Sequence, residues 1–320
     1  MERLIQDALW HGIRSIAAQQ LPHGEIPNYR LLQNGTWEYC FSPLVSAYIY
    51  NALGCFDPSS SAFDLQSLES SGAMHMQRLG RMAMEIRRGL YRFLCWQQCS
   101  DATWRFFGLG SNLPADLDTS CCAAAIFLDR RRFEHSCGFR ETLPALSTFP
   151  CRDGLFDSPD SRGSGFDGAP DLRRVANANL VRCFALAGRE HEVLANALLE
   201  DFAAAEPPSP ARFAFFYALG SAYRQGQVPV FGEIAGKICE EVLTYRASRE
   251  LQAPLSTALA VGALLDFGPT ELTQQIDISS LVRCIMAPHR ARLEPFCDER
   301  CGSAALTTAI SMSALARAAN

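Results

Sequence analysis

The sequence predicts an all-α protein, a single (α/α)6 toroid of inner and outer helices spanning residues 1–320. Three observations lead there: a degenerate helical segment that recurs six times, its alternation with amphipathic stretches, and a shortage of strand signals. The recurring segments run from Ser42 to Gly54, Thr119 to Arg130, Asn177 to Gly188, Arg212 to Gly220, Ser256 to Gly268 and Leu306 to Arg317. Each starts on a residue suited to an N-cap or first turn, continues with small and apolar residues at helical spacing, and ends on a charge or a glycine. Several are apolar nearly all round, as a helix covered on both sides must be. The stretches between them, such as Met76 to Cys99 and Phe231 to Arg249, carry a polar face. A unit that cannot bury its apolar surface alone and recurs along the chain is the signature of a repeat architecture, and six inner–outer pairs can close into a ring.

Strand-like alternation is rare, and Asn34-Gly35 is the sole Asn-Gly pair. Two polar insertions, Asp57 to Gly72 and Phe149 to Pro170, interrupt the pattern without ending it, so one domain is expected rather than two. The second is too long for a plain connector and is expected to border the pocket. With 320 residues, 48% of them hydrophobic and 20% charged, the chain has material for a large core. A net charge of -5 argues against binding to nucleic acid or anionic membrane.

No run approaches the ~20 apolar residues of a membrane span, so stable membrane insertion is not expected. The start, Met1 to Trp10, reads as an amphipathic helix rather than a signal peptide. The 13 cysteines are odd in number and include adjacent Cys121 and Cys122 in an alanine-rich run, which suits reduced, buried thiols in a cytoplasmic protein. As an assembly, a homodimer is left open.

Chemistry concentrates between Trp104 and Ser120. Aromatics and glycines lead into a proline and then two carboxylates, Asp116 and Asp118, at the mouth of a helix built from small residues. One reading is capping, with Asp118 or Thr119 accepting from free N–H groups. The other is acid catalysis, in which an apolar site and a neighbouring carboxylate keep one acid protonated and ready to donate. The two are compatible.

Rings that could line a pocket and stabilise a cation are Trp37, Trp104, Phe107, Phe213, Phe216 and Tyr217, although rings also simply fill cores. Thr119, Asn177 and Asn179 are candidate polar contacts to substrate, the two amides being expected at another inner-helix start on the same end as Asp118. Arg105, Arg173, Arg174 and Arg212 near inner-helix starts could hold a diphosphate, with magnesium entering only for such a substrate. Otherwise no cofactor is expected. His289, Cys297, Asp298 and Cys301 form a loose cluster whose spacing does not make a zinc site. There is no phosphate loop, dinucleotide fingerprint or nucleophile elbow.

Asp116-Leu117-Asp118-Thr119-Ser120 resembles the DxDD or DxDTT acid motif of class II terpene cyclases. The inner segments, especially Pro254 to Ala260 and Gly302 to Ala309, resemble those of the squalene-cyclase and protein-prenyltransferase β-subunit superfamily. Thr119 stands where many members have a further Asp, Ser120 where Thr or Ala is usual, and the QxxxGxW repeats are absent. The resemblance implies that Asp118 protonates an alkene or epoxide with Asp116 as its supporting acid. The expected function is thus a protonation-initiated cyclisation or isomerisation of an apolar, polyunsaturated, isoprenoid-like small molecule. The alternatives are a non-catalytic toroid that binds a lipid, peptide or partner protein, and a zinc prenyltransferase-like subunit.

Overall fold

The computed structural model describes residues 2–32, 34–57, 70–129, 139–158, 170–203, 210–247, 253–269, 272, 276–287 and 301–319. The described chain is mostly helical. The six recurring segments form α2 (Pro43–Ala52), α4 (Leu117–Asp129), α6 (Pro170–Leu186), α8 (Pro210–Gln225), α10 (Pro254–Phe267) and α12 (Ala304–Ala318). Between them lie α1 (Glu2–Gln19), α3 (Ser70–Trp96), α5 (Phe139–Leu146), α7 (Glu192–Ala203), α9 (Ala235–Ala247) and α11 (Ile278–Met286).

Local chemistry explains where these helices start. The Ser303 hydroxyl accepts from the Leu306 N–H at the head of α12, and Asp277 accepts from the Ser279 N–H at the head of α11. Proline stands at the first positions of α2 and α10, where its missing N–H costs nothing. Burial then separates the two sets. Every residue of α12 from Ala304 to Leu315 is buried, whereas α1 buries only Ala8, Leu9, Gly12, Ile13 and Ile16, a single face.

The recurring helices pack in sequence: α2 on α4, α4 on α6, α6 on α8, α8 on α10, α10 on α12, and α12 on α2. The intervening helices lie against them, α3 on α2, α5 on α4, α7 on α6, α9 on α10, and α1 and α11 on α12. Charge pairs set the directions. Asp171 near the start of α6 lies 3.8 Å from Arg212 near the start of α8. At the other ends, Asp266 of α10 pairs with Arg224 of α8 at 2.8 Å and with Arg317 of α12. Helices α6, α8, α10 and α12 therefore run parallel.

Small residues let them approach. A Cβ on Gly262 of α10 would sit 2.8 Å from the Tyr217 ring of α8, and one on Gly220 of α8 would sit 2.6 Å from the Asp266 carboxylate.

The expectation of few strands needs one amendment. Asn34-Gly35 does turn a hairpin, joining β1 (Asn28–Leu31) to β2 (Trp37–Cys40), with Gly35 at φ +78° and the Asn34 side chain accepting from the Thr36 N–H at 3.0 Å. β1 also pairs with β5 (Cys301–Gly302), which ties the approach to α2 to the approach to α12. A second hairpin, β3 (Cys151–Arg152) with β4 (Leu155–Phe156), occupies the described part of the 149–170 insertion. Residues 159–169 of that insertion and 58–69 of the earlier one lie outside the described residues. Among the described residues no helix is long and apolar enough to cross a membrane.

Gly24 carries the turn after α1 at φ +101°, and a Cβ there would collide with the Gly89 carbonyl of α3. Gln20 bridges the same contact, donating to the Gly24 carbonyl at 2.9 Å and the Ile86 carbonyl at 3.0 Å. Gly24→Ala is expected to cost at least about 2 kcal/mol in urea denaturation, from backbone strain plus the clash. Gly236, in the first turn of α9 with open space around it, gives the opposite sign. Gly236→Ala should stabilise by up to about 1 kcal/mol.

Candidate active site

The segment between α3 and α4 is pinned to the head of α4 through Trp104. Its indole N–H donates to the Leu94 carbonyl at 2.8 Å, and its ring stacks on Phe127 with centroids 5.6 Å apart. Its backbone N–H donates to the Ser120 hydroxyl at 2.9 Å, and its carbonyl accepts from the Asp116 N–H at 2.9 Å. Trp104 has no accessible surface and acts on the site only through the loop it anchors.

That loop delivers Asp116 as the cap of α4. One carboxylate oxygen accepts from the Thr119 N–H at 2.7 Å and from the Thr119 hydroxyl; the other accepts from the Ser158 hydroxyl at 3.0 Å. Sequence reasoning assigned the cap to Asp118 or Thr119. The structure assigns it to Asp116, because that residue precedes the first helical position and its side chain reaches back over the N–H three residues on. Thr119 is spent in this cap and is fully buried.

Asp118, one turn position further, is left with a different environment. Its Oδ1 accepts from the Asn179 amide of α6 at 2.8 Å and faces the Cys122 thiol at 3.6 Å. The same Asn179 amide group donates to the Tyr48 hydroxyl of α2 at 2.9 Å. Helices α2 and α6 each pack on α4, so these side chains meet across the small-residue face that Cys122 occupies. Among the described residues no hydrogen bond reaches Asp118 Oδ2, nor is that oxygen sealed away from solvent-sized space. Asp118 is half-buried, with one oxygen held by protein donors and the other left open.

Burial, reinforced by the negative charge of Asp116, pushes the Asp118 carboxyl up from an ordinary 3.8 to about 7, against the lowering effect of the Asn179 and Cys122 hydrogen bonds. Burial, with Asp118 alongside, also raises the Cys122 thiol well above its ordinary value, so it stays a donor. A protonated Asp118 fits the contacts. The contacts leave Oδ1 as the acceptor and Oδ2 as the oxygen available to carry a proton when the carboxyl is neutral.

The two amides separate. Asn179 is 2% exposed and belongs to the site. Asn177 does not: its carbonyl oxygen accepts from the Phe156 N–H at 2.8 Å, and its amide donates to the Phe156 carbonyl at 2.9 Å and the Arg173 carbonyl at 2.8 Å. Two residues apart on a helix point to nearly opposite faces. Nor do the amides open the helix as expected, since α6 begins at Pro170 and both lie near its middle. That earlier start is what brings Asn179 level with the first turn of α4.

The aromatic candidates divide likewise. Phe213 packs edge-on to Tyr245 of α9 at 5.3 Å, and Phe216 lies 6.1 Å from Phe202 of α7. Both are buried between helix layers. Phe107 rests edge-on against Phe106 at 4.7 Å in the loop, and Trp37 lies in β2 opposite Leu31. Tyr217 is half-buried against Gly262, and burial raises its hydroxyl above the ordinary 10.

The arginines proposed for a diphosphate are engaged elsewhere. Arg173 pairs with Asp157 at 2.7 Å, Arg174 with Asp171 at 2.9 Å and with Asp201, Arg212 with Glu241 at 3.3 Å, and Arg105 donates to the Ser111 carbonyl. His289, Cys297, Asp298 and the Cys301 side chain lie outside the described residues, among which no group of ligands could hold a metal.

Two residues beside Asp118 escaped the sequence reading, Tyr48 and Cys122; the available signal was a polar or ionisable residue inside an otherwise apolar recurring segment.

Between about pH 4 and 7 the folded protein keeps a proton on Asp118 that the unfolded chain has released. The contribution of this group to stability is therefore full below the unfolded value and is lost as pH rises through the folded one. In urea denaturation across pH 4 to 8, Asp118→Asn should gain stability relative to wild type as pH rises. A difference that does not change with pH would show that Asp118 is already ionised. Compared with models of known protein families and with curated proteins, the chain matches none.

Proposed function

We propose that the chain is a protonation-initiated cyclase or isomerase for an apolar, polyunsaturated, isoprenoid-like substrate, and that its recurring helices form an (α/α)6 toroid around the reacting volume. The cyclic order of helix contacts and the parallel directions support the toroid. The observation that carries the activity is Asp118, an acid kept protonated near neutral pH with one oxygen held by Asn179 and Cys122 and the other open.

In the proposed step, the π electrons of a substrate alkene take the proton from Asp118 Oδ2. A C–H bond forms, the O–H bond breaks, and a carbocation develops on the more substituted carbon. The carboxylate left behind, with Asp116 behind it, gives that cation a fixed negative field. A neighbouring alkene then attacks intramolecularly. Loss of a proton from the final cation to the Asp118 carboxylate restores the acid and closes the balance; where that proton leaves to solvent instead, the carboxylate takes one back from solvent before the next turnover. Asn179 and Cys122 hold Oδ1 throughout, so the proton stays on the oxygen that faces substrate. Tyr48 fixes Asn179 in turn.

The test compares wild type with Asp118→Asn on linear polyprenyl alcohols and diphosphates, reading cyclised or isomerised products by mass spectrometry. The substitution should lower turnover by about 10²- to 10⁴-fold with an intact fold, because Asn can still accept from Asn179 but carries no acidic proton. Full activity in Asp118→Asn would remove the acid from this role.

Asp116→Asn keeps an acceptor at the cap but removes the charge that lifts Asp118. Its alkaline limb in a pH–rate profile should move to lower pH, with stability changed little. An unmoved limb would leave Asp116 as a cap alone.

A further inference from the structure

Arg182 of α6 stands one helical turn beyond Asn179, about 4.5 Å along the axis, on the same side of the helix. It is 6% exposed and has no carboxylate partner among the described residues, in contrast to Arg87, Arg173, Arg174, Arg212, Arg224 and Arg317. Among the described residues its one hydrogen bond runs from Nη2 to the Asn51 Oδ1 of α2, and it is long at 3.4 Å. Nε is sealed in protein without an acceptor among those residues, as is the neighbouring Asn51 amide nitrogen. Nη1 donates to nothing among the described residues yet is not sealed, so it faces the same kind of space as Asp118 Oδ2.

A guanidinium stays protonated in proteins, and a buried charge is normally paired. At Arg182 itself the guanidinium has more donors than acceptors among the described residues. Tyr217 on the facing helix α8 is half-buried, stands in the fields of Arg317, Asp266, Arg224 and, more weakly, Arg182, and its hydroxyl has no partner among the described residues. Asp118 does not supply the counter-charge, since its ionisation is governed by burial and Asp116 and not by Arg182.

We infer that the interior binds a substrate bearing a carboxylate, seated on the Nη1–Nη2 edge of Arg182, with its apolar, unsaturated part extending toward Asp118. A carboxylate matches one guanidinium in charge and in fork geometry. A diphosphate would need further cations, and the surrounding arginines are held by Asp57 and Asp266. This rests on, and deepens, the proposed function by naming the head group. It is nevertheless read by binding alone, so it can fail while the acid chemistry stands, and the reverse.

The experiment is calorimetric titration of the full chain with farnesoic acid, farnesol and farnesyl diphosphate. The acid should bind wild type about tenfold or more tightly than the alcohol. Arg182→Met should erase that preference while keeping the weak affinity for the alcohol, and Asp118→Asn should retain it. Arg182→Lys, a variant that keeps the charge without the fork, should preserve part of the preference. It provides the reading if Arg182→Met does not fold. Ligand-free Arg182→Met should melt higher than wild type, since an unpaired buried charge is gone. Equal affinity for acid and alcohol, a preference that survives in Arg182→Met, or tighter binding of the diphosphate than of the acid would each overturn the carboxylate site.

Discussion

The first turn of α4 presents N–H groups that no helical carbonyl can reach, and the way they are satisfied decides what Asp118 is free to do. Asp116 takes them, helped by Thr119 and Ser158, while Trp104 and Ser120 fix the loop that carries Asp116. A carboxylate that caps must stay ionised and near the backbone. A carboxyl that delivers a proton must be neutral and face substrate. Two acids one residue apart are placed differently: Asp116 caps the helix, and its charge adds to burial in raising the Asp118 carboxyl, so the residue that starts the helix also prepares the proposed acid.

Everything around Asp118 follows from how closely the neighbouring helices approach. The face of α4 toward the site carries Cys122 and lies in a run of alanines, which is why Tyr48 of α2 and Asn179 of α6 can meet across it. Larger residues there would separate that pair and leave Oδ1 without its donor. The parallel directions of α6, α8, α10 and α12 add a consequence: their C-terminal halves bring Arg182, Arg224, Asp266 and Arg317 toward one end while Asp118 stays near the other.

The helical class was legible in the sequence because each recurring segment carries its own evidence, a capping residue, small apolar residues at helical spacing and a stop signal. The Asp116 and Asp118 pair was legible for the same local reason. Their division of labour was not, since which acid caps depends on where the helix begins, and a one-residue shift exchanges the roles. Asn177 and Asn179 were misplaced because α6 starts at Pro170, seven residues before the segment that the apolar pattern picked out. Tyr48 and Arg182 were out of reach for another reason: their partners, Asn179 and Asn51, are each 131 residues away in the chain. The β1–β2 hairpin had its signal in Asn34-Gly35, which was outweighed by the helical character of the rest.

Charge placement draws the strongest line between structure and function in this molecule. Arg174 with Asp171 and Asp201, Arg212 with Glu241, and Arg87 with Asp57 under the Tyr50 ring are charge pairs that join helix to helix or to loop. Asp118 and Arg182 break that rule in opposite senses, one held neutral although acidic, the other held charged although buried and unpaired. They are aligned through one short ladder, Asn179 with Tyr48 and Arg182 with Asn51, on helices that approach across α4. Local departures from good packing of this kind are what a binding and reacting volume requires, because a ligand can supply there only what the protein has left unmet.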